Sequence, residues 1–289
     1  MKGRIIPLIA TMAVTASVAA HAVEPVDSFP LPTVPAALVT PSQRAEYVVS
    51  HFFDGAILPE STSLGLQQSI ANFTTVAPLA SDSARLAAAR TLFSRADNAS
   101  KLTTLRNTVE DYLLGTESPF FSPDLMIPFL EADTPDPRRD ELLRLISINR
   151  LSTSASNIPL TLTDGSQSTL FDTAGDTPDV LLIFFDPDCD TCHELIGALG
   201  KSEKLADAIS SGRVAAIAVS AGVELASRPD FIPESWSVAY DTDGAIEEND
   251  LYFIPAIPTI YILGGSNHTV TARNLTPLEP EVTLRALRL

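Results

Sequence analysis

Six consecutive apolar residues, Val180-Leu181-Leu182-Ile183-Phe184-Phe185, run into Asp186-Pro187-Asp188-Cys189-Asp190-Thr191-Cys192 and then into a helical pattern. An unbroken apolar run of this kind reads as a strand buried on both faces, and such strands belong to sheets covered by helices on both sides. Short runs of the same character predict further strands at Pro159–Leu162, Val214–Val219, Thr259–Leu263 and Thr269–Ala272. Helices are expected between them at Thr191–Ser211, stopped by Gly212, near Val223–Ala226, near Asp243–Leu251 and at Pro280–Leu287. A strand, a helix and a second strand in that order make a right-handed crossover, so the sheet is at least partly parallel. The expected fold over residues 157–289 is therefore α/β.

The preceding residues follow another pattern. Lys2 and Arg4 stand before an apolar stretch, Ile5–Ala20, that ends in Ala20-His21-Ala22, the pattern of a secretory signal peptide over residues 1–22. The stretch is short and rich in Ala, Thr and Ser, and no later segment has about 18 apolar residues in succession, so no membrane span is expected after cleavage. Residues 23–40 carry Pro25, Pro30, Pro32 and Pro35 and read as an extended leader. From Pro41 to about Arg150 the periodicity is helical. Tyr47, Val48, His51 and Phe52 share a helical face, Ser81-Asp82 can cap a run from Ala84 to Ala96, and further helices are expected at Ser61–Ala71, Lys101–Leu114, Pro123–Ala132 and Pro137–Asn149. Residues 41–150 thus read as an all-helical domain, and Ser152-Thr153-Ser154-Ala155-Ser156 as the linker to the second domain.

Charge and cysteine content narrow the function. The formal net charge of −17 repels nucleic acid and anionic lipid. The chain has two cysteines, Cys189 and Cys192, too close in sequence to act as a long-range staple. Reactivity is the better explanation of the pair. Unpaired amides in the first turn of a helix carry partial positive charge and hold a cysteine there closer to thiolate, the attacking species. A second cysteine one helical turn on can resolve the mixed disulfide formed with a substrate. Cys189, nearer the helix end, is the expected nucleophile, and Cys192 the more sheltered resolving thiol.

With Cys-x-x-Cys after a buried strand, and Ile257-Pro258-Thr259 before the strand Ile260-Tyr261-Ile262-Leu263, residues 157–289 resemble the thioredoxin-like superfamily. Within it they are similar to exported thiol–disulfide oxidoreductases of the TlpA and ResA type. The resemblance implies a central mixed sheet flanked by helices and a cis Ile257–Pro258 bond packed beside the cysteines. It also implies a site of Cys189, Cys192 and Pro258, supported by Asp188, Asp190, Thr191, His193, Ile257 and Thr259. Asp241-Thr242-Asp243 and Tyr252-Phe253-Ile254-Pro255 resemble the approach to the proline loop. Two departures stand out. Asp188 occupies the place of the tryptophan often found before the first cysteine, and Ile183 that of the buried acid in the preceding strand of thioredoxins, which removes the usual proton relay. Asp186, Asp188 and Asp190 place negative charge around Cys189 and disfavour its thiolate, although exposure weakens the effect. A reductase or isomerase is expected more than a strong oxidase. Arg44-Ala45-Glu46-Tyr47-Val48-Val49-Ser50-His51-Phe52-Phe53-Asp54 resembles helical domains of unknown function that precede thioredoxin-like modules in exported bacterial proteins.

Other readings of the same residues are weaker. Cys189-x-x-Cys192-His193 matches the haem c attachment pattern, but a buried strand and the Ile257-Pro258-Thr259 element have no role in a cytochrome. Zinc would need two more ligands, and His51 and His268 are isolated in sequence. Copper on the thiolates lacks a methionine-rich segment. Asp133-Thr134-Pro135-Asp136-Pro137 and Asp241-Thr242-Asp243-Gly244 read as turns, not calcium loops. His193 reads as a solvated first-turn residue, His51 as a satisfied histidine at a core edge, and Trp236 as packed on the sheet. The expectation is an extracytoplasmic protein that needs no cofactor or metal and exchanges disulfides with protein thiols and a redox partner. The alternative is a cell-envelope binding protein on the same scaffold without essential redox turnover.

Overall fold

The computed structural model describes residues 29–59, 63–241, 244–275 and 279–289. Residues 1–22, read as a signal peptide, the first leader residues, Ser61, Thr242 and Asp243 lie outside the described residues. Six helices come first: α1 (Pro41–Ser50), α2 (Leu64–Val76), α3 (Asp82–Ser94), α4 (Ala99–Leu114), α5 (Pro123–Ala132) and α6 (Pro137–Ile146). Their starts follow from local chemistry. Thr40, Ser63, Ser81, Asn98 and Asp136 each accept a backbone N–H of the first turn, and Pro41, Pro123 and Pro137 occupy first-turn positions where no N–H is needed. The helices close on a cluster of aromatic rings. Phe73 lies 5.3 Å from Phe52, 5.0 Å from Phe53 and 5.7 Å from Phe129, centroid to centroid.

The described end of the leader belongs to this core. Phe29 packs against the cluster and donates its N–H to Ser69 Oγ at 2.8 Å. Pro30 lies so close to Gly55 that a Cβ there would stand 2.6 Å from its Cγ.

The second half is one seven-stranded mixed sheet in the order β2-β1-β5-β4-β3-β6-β7. Its strands are β1 (Pro159–Leu162), β2 (Gln167–Thr169), β3 (Asp179–Phe185), β4 (Val214–Ser220), β5 (Ser237–Asp241), β6 (Thr259–Gly264) and β7 (Thr269–Arg273). β3 pairs parallel with β4 and antiparallel with β6, and β4 pairs parallel with β5. The remaining helices are α7 (Leu170–Ala174), α8 (Asp190–Gly200), α9 (Glu203–Ser210), α10 (Ala245–Glu248) and α11 (Pro280–Ala286). Leu181, Ile183 and Phe185 of β3 face a core shared with α8, α9 and Leu287, whereas Val180, Leu182 and Phe184 face α7, Tyr252 and Tyr261. Both faces of β3 are covered, which is why its sequence does not alternate.

The predicted strands all form, each within one residue of its expected end. The predicted helix Thr191–Ser211 is two helices, because the Ser202 side chain accepts Leu205 N–H and starts α9 afresh. No helix forms over Val223–Ala226; Ser220 Oγ donates to the Val223 carbonyl at 2.7 Å and holds the segment as a loop. The helix expected near Asp243–Leu251 is the single turn α10. Strands β2 and β5 and helix α7 have no counterpart in the sequence pattern. Ser152–Ser156 is pinned to the sheet: Ser152 N–H and Ala155 N–H donate to the Val270 and His268 carbonyls at 2.9 Å each, capping the β7 edge. Among the described residues, no helix is long and apolar enough to cross a membrane.

The halves are joined by polar bonds and packing. Arg273 of β7 donates to Asp124 of α5 at 2.8 Å and to the Ile146 and Ile148 carbonyls at 2.7 and 2.8 Å. Asn149 Nδ2 donates to the Leu251 carbonyl at 2.7 Å, and Phe253 packs against the helical core. The loop that leads to Pro258 is therefore held by the helical half.

Candidate active site

The chain leaves the carboxyl end of the interior strand β3, and Asp186-Pro187-Asp188 turns it into α8. Cys189 is the N-cap of that helix, and its Sγ accepts the Cys192 N–H at 3.1 Å. The two cysteines form a disulfide with their Cα atoms 5.2 Å apart. Cys192 is fully buried among Leu195, Ile196 and the sheet, while Cys189 is partly exposed. When the disulfide is reduced, a thiolate at Cys189 faces the unpaired amides of the first turn, which favour negative charge. Asp188 and Asp190 are exposed on either side and oppose it.

The Ile257–Pro258 peptide bond is cis. It places the Ile257 carbonyl oxygen 3.9 Å from Cys189 Sγ. Thr259 Oγ1 donates to the Ala256 carbonyl at 2.5 Å and closes the turn from the other side. Cys189, Cys192, Ile257 and Pro258 are thus brought together, with Thr191 facing the same opening.

His193 differs from its sequence reading. It is half-buried, its ring lies 3.9 Å from the Phe231 ring, and Nε2 is 2.7 Å from the Pro187 carbonyl. A carbonyl only accepts, so Nε2 carries the proton and His193 ties the turn before Cys189 to the helix after it. The solvated reading failed because Phe231, which covers the ring, lies in a distant loop. His51 accords with its reading, with Nδ1 at 2.8 Å from Asp54 and its ring against Tyr47. Trp236 is buried on the α8 side of the sheet.

That the helical half reaches the site is not foreseen from the sequence pattern. A groove of about 620 Å³ opens beside the disulfide. One wall is Thr191 and the Pro255–Thr259 segment, and the other is the loop between α4 and α5, from Thr116 to Phe121. Asn274 and Leu275, which follow β7, complete it. No local pattern marks residues 116–121 as site residues; only the fold brings them there.

A family model described as a domain of unknown function (DUF5106) matches residues 9–169, more than half of the chain. Among solved structures, a thioredoxin-like protein from Bacteroides caccae is 25% identical, with a TM-score of 0.74 over 89% of this chain and 98% of its own. The C-terminal domain of an uncharacterized protein from Bacteroides fragilis is 28% identical, with a TM-score of 0.43 over 47% of this chain and 98% of its own. No curated protein matches. The Bacteroides caccae structure spans both halves, so a helical region leading into a thioredoxin-like α/β unit is an arrangement the two chains share.

Proposed function

The chain belongs to the DUF5106 family, and from the geometry of its disulfide site we propose that it is an exported thiol–disulfide oxidoreductase working through Cys189 and Cys192. The observation that carries this reading is Cys189 capping α8 with its Sγ 3.9 Å from the carbonyl before Pro258. Cys189 thiolate attacks one sulfur of a substrate disulfide; the other substrate sulfur leaves as a thiolate and takes a proton from solvent. Cys192 then loses its proton to solvent and displaces the first substrate sulfur from Cys189; that sulfur leaves as a thiolate and takes a proton from solvent in turn. The substrate has gained two electrons and the protein has formed the Cys189–Cys192 disulfide, which a partner dithiol must reduce again. The electrons pass between sulfurs and the protons exchange with solvent, so the cycle requires no metal or prosthetic group.

The carboxylates of Asp188 and Asp190 hold back the Cys189 thiolate, which favours reductase or isomerase work over strong oxidation. Export rests on the residue 1–22 pattern and places the substrates among extracytoplasmic protein thiols. Insulin reduction driven by a chemical dithiol tests the reading. Wild type should accelerate it and Cys189→Ser should not; equal rates would refute the proposal.

A further inference from the structure

We propose that the loop between α4 and α5 is the selecting wall of the substrate groove, and that the groove takes an extended polypeptide segment carrying lysine or arginine. The loop is a built surface. Ser118 N–H donates to the Gly115 carbonyl at 2.9 Å, Ser118 Oγ to the Tyr112 carbonyl at 2.7 Å, and Ser122 N–H to the Leu113 carbonyl at 2.8 Å. Phe120 stacks on Tyr112 with centroids 5.6 Å apart. A wall bonded to itself in this way does not have to be ordered when a substrate arrives, which lowers the cost of binding.

Charge identifies the occupant. Among the described residues, the charged side chains lining the groove are Glu117 on the helical wall and Glu279 opposite, both exposed. Asp188 and Asp190, next to Cys189 in the chain, are exposed as well. The two glutamates at the opening attract a cationic segment and repel an acidic one. The opening has the size of a small-ligand cleft, enough for a few extended residues. Asn274 adds a second sign. Its backbone is left-handed, with φ 51°, and both atoms of its side-chain amide are buried at the groove wall without a hydrogen-bond partner. A peptide group offers one acceptor and one donor, the complement of that amide.

The identity of the occupant rests on the redox reading, but the test needs no sulfur chemistry and so fails separately from it. A labelled twelve-residue peptide without cysteine, with lysines and arginines around a central serine, is titrated with the full chain by fluorescence anisotropy; a glutamate-rich counterpart is titrated alongside. Wild type should bind the cationic peptide at least about ten-fold more tightly than the acidic one, and added salt should narrow the gap. Glu117→Lys should weaken the cationic peptide about five-fold or more, as expected for reversing an exposed charge at a binding rim. Glu203→Lys, the same charge change beyond the far end of α8, should bind as wild type. Equal affinity of wild type for the two peptides would overturn the proposal. So would a Glu117→Lys protein, folded by circular dichroism, that binds the cationic peptide as wild type does.

Discussion

Arg273 and Asp124 are 149 residues apart in sequence and form a two-point ion pair, Nε to Oδ2 at 2.8 Å and Nη2 to Oδ1 at 3.0 Å. The Arg273 side chain is wholly buried, and Asp124 also accepts the Leu151 N–H at 3.0 Å. The pair stands at the root of both groove walls: Asp124 follows the α4–α5 loop, and Arg273 precedes Asn274.

Removing one partner of this pair leaves a charge in the interior. Asp124→Leu should destabilise the chain by about 3 to 5 kcal/mol in denaturant unfolding. The double variant Asp124→Leu/Arg273→Met should be less destabilised than the sum of the two single ones, since neither charge is then stranded. It should remain below wild type, because the Ile146 and Ile148 carbonyls also lose their donor. Strict additivity would show that the two side chains do not interact.

A second link has a pH signature. Glu46 of α1 accepts the Ser81 hydroxyl and, at 2.9 Å, the Ser81 N–H, at the start of α3. The Ser81 hydroxyl, then its N–H, hold the Glu46 carboxyl below its ordinary range. A depressed folded value means that the stabilisation is present above the unfolded pKa and is lost as pH falls through the folded one. Glu46→Gln should cost about 1 kcal/mol or less near pH 7, given the exposure of the group. The gap should close as the medium is made acidic. Thermal unfolding of both proteins from pH 7 to pH 3 measures it, and a gap that widened on acidification would contradict the assignment.

His193 acts on the site through position. His193→Ala removes both the bond to Pro187 and the contact with Phe231, and should cost roughly 1 to 2 kcal/mol in chemical unfolding. His193→Phe keeps a ring against Phe231 and should recover part of that loss. If both variants unfold at the wild-type midpoint, the ring does not hold the turn.

The legible parts of this fold are those whose cause is local. Asp179–Phe185 is visible because a strand buried on both faces must be apolar throughout, and the cysteines because a helix N-terminus and a two-residue spacing are sequence features. Pro258 is legible through the strand that follows it. β5 is not: Ser237-Val238-Ala239-Tyr240-Asp241 has two buried residues, and it is a strand because β1 and β4 hydrogen-bond to it from both sides. The break between α8 and α9 had a local signal in Ser202-Glu203-Lys204-Leu205, outweighed by the apolar periodicity that runs through it. The α4–α5 loop is the clearest case. Glu117 and Phe121 become groove residues through the Arg273 clamp and the packing of Phe253, and neither relation has a pattern in the chain.

In the proposed cycle Cys189 attacks and Cys192 resolves. Cys192→Ser, incubated with a disulfide-bonded peptide, measures this directly by mass spectrometry without reductant. A covalent adduct through Cys189 should accumulate with Cys192→Ser, be released by added dithiol, and be absent from Cys189→Ser. An adduct on Cys192 in Cys189→Ser with none on Cys189 in Cys192→Ser, or no adduct on either, would overturn these roles.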